Sequence, residues 1–326
     1  MRHERPHLLQ SKVDDYLAER RHLGFELHSM GYALRSLASY ADSSGHEGPL
    51  TADLMTDWAR LDKKQSHTPA TGARRIEVVR PFARWLCQFE PLTEVPDESA
   101  FGPVPGRITP HIYREDEIVE LLGAARDIEP KGCLRAATFE TLFGLIASAG
   151  LRVSEALALL DSDVDLKDGA LTVRLSKCKK SRRLPLHPST VLALARYRAL
   201  RSRQVPTTTE TPFFVGTRGR LLGTPLGDRQ VHRVFLELRD KLGWVDRGCH
   251  GGPRIHDLRH AFVVHRVMLW HVQGIDVDQA MLSLSTYLGH TKISSTYWYL
   301  TGVPELMALA GTKFEQYAQA AEAGDE

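Results

Sequence analysis

The chain is poor in cysteine: Cys87, Cys133, Cys178 and Cys249 are its four, and no two form a C-x-x-C pair. That spacing speaks against a disulfide framework or a zinc knuckle, and the four read as reduced thiols of a cytoplasmic protein. Long apolar runs are also missing. The best candidate, "TLFGLIASAGL", is about half of the ~20 residues a membrane span needs. No continuous apolar core follows the early charges of "MRHERPHLLQSKVDDYLAERR", so no signal peptide is expected. Net charge is only +2, too small to argue for a nucleic-acid partner unless the basic residues cluster locally. Internal repeats and low-complexity tracts are absent as well.

What is present suffices for two domains, since 326 residues allow two ordinary cores. The break is marked by "PLTEVPDESAFGPVPGRITP", whose five prolines and two glycines cannot continue a helix or a sheet ladder. The expected division is a helical domain over 1–92, a linker over 93–110 and a second domain over 111–326. Apolar stripes before the linker have helical spacing: Val13, Tyr16 and Leu17, then Leu34, Leu37 and Ala38, then Ile76, Val79, Phe82 and Trp85. Thr51 is a plausible N-cap, and Pro81 should kink or interrupt its helix. Arg74, Arg80 and Arg84 fall off the apolar stripe, where a solvated face and DNA contact are both open readings.

After the linker the pattern is mainly α with a small antiparallel β element. Helices are expected at 114–126, 135–149, 153–160, 188–203, 228–242, 256–272, 278–288 and 293–300, with a last one near 304–322. "DGALTVRL" and "RRLPL" read as two strands joined by the basic turn "SKCKKS".

Within this domain "RIHDLRHAF" poses a chemical question. On a helix His256 and His260 share a face, as in the zinc-peptidase pattern H-E-x-x-H. A zinc site would need a general-base carboxylate where Asp257 stands, one methylene short, and a third ligand that the spacing does not supply. Arg259 would also place a permanent charge beside a dication. A grip on an anion fits these residue types better, and no metal or other cofactor is expected.

Four groups follow one another: "GLRVSEAL", "SKCKKSRRLPL", "HDLRH" and "LGHTKISSTYWYL". Together they resemble the tyrosine recombinase (phage integrase) family, in order and across the whole second domain. Singly each is weak: Arg152 could simply pair with Glu155 one turn later. By resemblance, Arg152 falls at the family's first arginine, with Glu155 supporting it. Lys177, eight residues before Pro185, falls at the hairpin lysine, although Cys178 replaces a frequent glycine and leaves Lys179 and Lys180 open for that role. His256 and Arg259 match the H-x-x-R pair and His290 the later histidine. Tyr299, nine residues beyond His290, matches the nucleophile, with Tyr287 and Tyr297 as its competitors. His260 either supports the site or only caps it.

The residue types suit such chemistry. A free tyrosine is ionised in roughly one molecule in a thousand at neutral pH, a cost of about 4 kcal/mol. Two guanidiniums can clamp the phosphate oxygens while charge builds on them, and histidines can bond the same oxygens or move the tyrosine's proton. The resemblance implies an enzyme that cuts and rejoins double-stranded DNA through a 3′-phosphotyrosine, without metal or ATP. Its implied state is a homo-oligomer, a tetramer on paired sites, with accessory recombinases or directionality factors as further partners. Lys179, Lys180, Arg182 and Arg183 on the hairpin, with Arg74, Arg80 and Arg84, are the expected DNA contacts. The alternative is a DNA-binding regulator that keeps the fold without catalysis.

Overall fold

The computed structural model describes residues 8–61, 69–104, 106–174, 181–245 and 247–300. The chain divides into two compact units, Met1–Arg107 and Ile108–Glu326.

In the first unit four helices, α1 (Leu8–His22), α2 (His28–Ser43), α3 (Ala52–Arg60) and α4 (Pro69–Leu86), enclose one core. Val13, Tyr16, Leu34, Leu37, Met55, Trp58, Ile76, Val79, Phe82 and Trp85 meet there, the stripes that the 3.6-residue period brings to one face. Thr51 caps α3 by accepting from the Leu54 backbone N–H at 3.3 Å. Of the two outcomes expected at Pro81, a kink or an interruption, the interruption does not occur: α4 runs through it. The bond Pro81 cannot make is the one to the Glu77 carbonyl, and Glu77 lies on the exposed side of the helix, where water reaches it.

The second unit holds α5 (Glu115–Arg126), α6 (Leu134–Ala149) and α7 (Val153–Leu157), then β1 (Val164–Asp165), β2 (Ala170–Val173) and β3 (Arg182–Pro185). Next come α8 (Pro188–Ser202), α9 (Asp228–Leu242), α10 (Ile255–Val272), α11 (Val277–Leu288) and α12 (Ser294–Tyr297), the last passing into a 3₁₀ turn over Trp298–Leu300. The strands form an antiparallel sheet in the order β1-β2-β3, with Val173 opposite Arg182 and Ala170 opposite Pro185. The mainly helical architecture with a small sheet is the expected one, with details changed. A third strand, β1, joins the hairpin; α7 is shorter than 153–160; and the expected helix over 293–300 is a short α12 plus a tighter turn. The expected helix near 304–322 lies outside the described residues.

α6 is apolar on nearly all sides and is the central element of the main core, packed by Phe139, Leu142, Phe143 and Ile146. α10 serves two cores. Ile255, Leu258 and Ala261 belong to the main one; Phe262, Val263 and Val267 belong to a smaller one shared with Met281, Leu284, Leu288 and Tyr299.

Candidate active site

The site begins where α6 ends. Gly150 stops that helix in the left-handed region at φ 61°, which a side chain resists, and a Cβ there would lie 2.4 Å from the Phe262 ring. The chain re-enters a helix at once, and Glu155 caps α7 by accepting from the Arg152 backbone N–H at 3.0 Å. The same carboxylate accepts from Arg152 Nη1 at 2.7 Å and from both Nη atoms of Arg182, at 3.1 and 2.9 Å. Arg259 Nη1 stands 3.8 Å away. Burial alone would raise the Glu155 carboxyl; the hydrogen bonds from Arg182 and the Arg152 backbone and the surrounding guanidinium charges outweigh it and hold it at about 2. The bland reading of G-L-R-x-S-E, an Arg152–Glu155 pair, is therefore realised, inside a larger cluster of three arginines.

Arg259 is fully buried on α10. Its Nη1 donates to Gly150 O at 2.5 Å and its Nη2 to Leu288 O at 2.9 Å, carbonyls at the ends of α6 and α11. Both carbonyls are left unpaired by their own helices, which is why a guanidinium fits between them. Nη2 also lies 3.0 Å from His290 Nε2, and Nε donates to the Tyr299 hydroxyl at 3.3 Å. The buried cation thus ties together the helix end before Arg152, the histidine of "LGH" and the tyrosine nine residues further on. Gly289, at φ 69°, closes α11, and a Cβ there would meet Arg182 Nη1 at 2.8 Å.

The histidines sit around Tyr299. His260 is buried with its ring 4.3 Å from the Tyr299 ring, and its Nδ1 has no hydrogen-bond partner among the described residues. Burial first, then the charges of His256, Arg254 and Arg259, lower its pKa to about 2. The exposed ring of His256 stands edge-on to His260 at 5.0 Å, and protein packed behind it, with the Arg259 charge, lowers its pKa to about 4. Burial and the same arginine lower His290 to about 4. All three rings are therefore neutral at pH 7.

Arg152, Glu155, His256, Arg259, His260, His290 and Tyr299 are thus gathered in one place. Tyr297, the rival of Tyr299, is exposed and donates to Asp278 at 3.2 Å. Asp257, the base in the zinc reading, is fully buried and held by the Arg254 backbone N–H at 2.9 Å and its Nη2 at 2.7 Å. Lys177, Lys179 and Lys180 lie outside the described residues. Two of the expected DNA contacts, Arg182 and Arg80, are engaged within the protein. Arg182 spends its donors on Glu155 and on Tyr287 O at 2.7 Å, and Arg80 pairs with Glu98 at 3.2 Å and with the Pro96 carbonyl. In each case an acidic partner and low exposure turn the guanidinium inward. Arg183 is exposed but held by Asp165 and Asp168, at 3.0 and 2.6 Å; Arg74 and Arg84 are exposed. A further residue of the site, not among those expected from the sequence, is Thr296, fully buried, with its Oγ1 2.8 Å from His290 Nδ1. Its placement three residues before Tyr299 was the one available signal.

The profile of the phage integrase family matches residues 112–303. The integrase/recombinase y4rB of Sinorhizobium fredii is 34% identical over 307 residues, covering 93% of this chain and 96% of its own. Tyrosine recombinase XerC of Proteus mirabilis is 27% identical, covering 83% of this chain and 89% of its own. Among solved structures, the Tn1549 transposon integrase in complex with transposon right end DNA shares the fold at a TM-score of 0.65 and 15% identity, over 95% of this chain and 99% of that one. A lambda integrase dimer bound to a core site gives 0.60 at 18% identity, over 89% and 76%. The chain belongs to the phage integrase family, the tyrosine-type DNA recombinases. Its general activity is site-specific DNA recombination.

Proposed function

We propose that this chain cleaves and rejoins double-stranded DNA through Tyr299. The observation that carries the reading is Arg259, one buried cation bonded to both the Tyr299 hydroxyl and His290. In the proposed step the Tyr299 oxygen attacks the scissile phosphorus and the bond from phosphorus to the 5′ oxygen breaks. The DNA 3′ end stays on the enzyme as a phosphotyrosine. The phenol proton passes to a neutral histidine, His290 or His256, and the departing 5′ oxygen takes a proton from the hairpin lysine, Lys177. Arg152 and Arg259 bind the non-bridging oxygens as charge builds on them, with Glu155 orienting the guanidiniums and His260 backing the tyrosine ring. Attack by a second strand's 5′ hydroxyl reverses the step, and because the phosphotyrosine retains the bond's energy no ATP is consumed. The arginines supply the positive charge, so the proposed step uses no metal. The working species is a homo-oligomer, a tetramer on paired sites, in the cytoplasm. Exposed Arg74 and Arg84 and the hairpin lysines make phosphate contacts.

The test is covalent trapping in EDTA, with labelled, nicked duplexes drawn from the DNA flanking the gene. Wild type and Tyr297→Phe should give an SDS-resistant adduct, and Tyr299→Phe none. An equal adduct from Tyr299→Phe would refute the assignment of the nucleophile. Retention of the DNA with no adduct from wild type would favour the regulator.

A further inference from the structure

His290 makes two contacts that together fix its proton. Its Nε2 lies 3.0 Å from Arg259 Nη2, and its Nδ1 lies 2.8 Å from Thr296 Oγ1. A guanidinium only donates, so Nε2 must present a lone pair to Arg259. The proton of the neutral ring is then on Nδ1, and Nδ1–H donates to the threonine hydroxyl. The opposite tautomer would set N–H against N–H at the arginine. Burial and the Arg259 charge keep the ring neutral at pH 7.

Thr296 is placed for this role by the backbone. It is fully buried, its own N–H donates to Ile293 O at 2.8 Å, and it lies one turn before Tyr299. The hydroxyl that receives the His290 proton and the phenol bonded to Arg259 are therefore carried by one short helical segment. We propose that Thr296 is a positioning residue of the reaction, whose buried hydroxyl holds His290 as the Nδ1–H tautomer and keeps the Nε2 lone pair turned toward Arg259, the cation that also bonds the Tyr299 hydroxyl. This rests on the strand-cleavage reading given above. It makes the acceptor state of His290 depend on the docking of the segment that carries Tyr299: if that segment moves away, Nδ1–H loses its partner. A valine at 296 keeps the side chain's shape and removes only this acceptor.

The experiment uses the full chain labelled with ¹⁵N-histidine, the His290 ring signals being those lost in His290→Gln. At pH 7 the wild type should show a protonated Nδ1 and a bare Nε2. Thr296→Ser should keep that signature and most of the single-turnover rate of adduct formation. Thr296→Val should lose the signature and slow the adduct about tenfold, the effect of leaving one buried donor unpaired. Thr296→Ala serves the same purpose if thermal unfolding shows that valine prevents folding. A protonated Nε2 in the wild type would overturn the proposal. So would a variant lacking the hydroxyl that keeps the Nδ1–H tautomer, or one that loses it at full rate. An expected spectrum with no adduct from wild type would sink the cleavage reading, and Thr296's part in catalysis with it, while the tautomer stood.

Discussion

Replacing Glu155 by glutamine keeps the shape of the side chain and removes its charge from among three guanidiniums. In the folded protein the carboxyl is held at about 2, against an ordinary 4.5. A folded value below the unfolded one means stability that is present above pH 4.5 and lost as the pH falls toward 2. At neutral pH that difference corresponds to about 3 kcal/mol, of which about 1 kcal/mol remains at pH 3. Glu155→Gln should therefore cost about 3 kcal/mol at pH 7 and about 1 kcal/mol at pH 3, because wild type itself has lost most of the benefit by then. The histidines lowered to about 4 are present in both proteins and largely cancel in the comparison. The assay is urea denaturation at the two pH values, followed by hydrogen exchange in residues 134–160 so that the first unit does not enter the reading. An equal loss at both pH values would refute the reasoning, since it would mean that the carboxylate's charge is not what holds the three arginines.

Two further substitutions separate internal from external arginines and test the turn before Arg152. Arg182→Ala breaks a buried ion pair and should cost about 3 kcal/mol in a thermal or urea melt. Arg183→Ala, which loses only exposed pairs, should stay within about 0.5 kcal/mol; a reversed order would contradict their placement. Gly150→Ala forces a side chain into the left-handed region and against Phe262, and should cost about 2 kcal/mol or more, with slower adduct formation in the trapping assay. Unchanged melting would show that the turn relaxes freely.

Most of the site was legible because its residues carry uncommon chemistry in ordered spacing. Singly Arg152, Arg259, His290 and Tyr299 are weak signals; their order and spacing resemble those of the tyrosine recombinase family, and that resemblance singled them out. The choice of Tyr299 over Tyr297 rests on the spacing from His290 and on Leu300 directly after it; the structure puts the first against Arg259 and the second at the surface on Asp278. The destination of individual arginines was not legible. Arg182 and Arg183 are neighbours in sequence, yet alternation along β3 sends one to Glu155 and the other to Asp165 and Asp168. Arg80 shares α4 with Arg74 and Arg84 but is held by Glu98, eighteen residues on. Such partners are set by folding of distant segments, and a local pattern cannot name them. Thr296 was hidden for a related reason: beside Ser294 and Ser295 it looks like one more small polar residue, and only burial distinguishes it.

The division of α10 between two cores bears on how freely the reactive end of this domain can change. Tyr299 rests in the smaller cluster, with six other buried side chains for company, while Arg152 and Glu155 border the larger one built around α6. Rearranging the tyrosine segment therefore disturbs a modest annex and leaves the main foundation standing. The nucleophile's seat and the main platform meet at Arg259, which bonds Gly150 O on one side and the Tyr299 hydroxyl on the other.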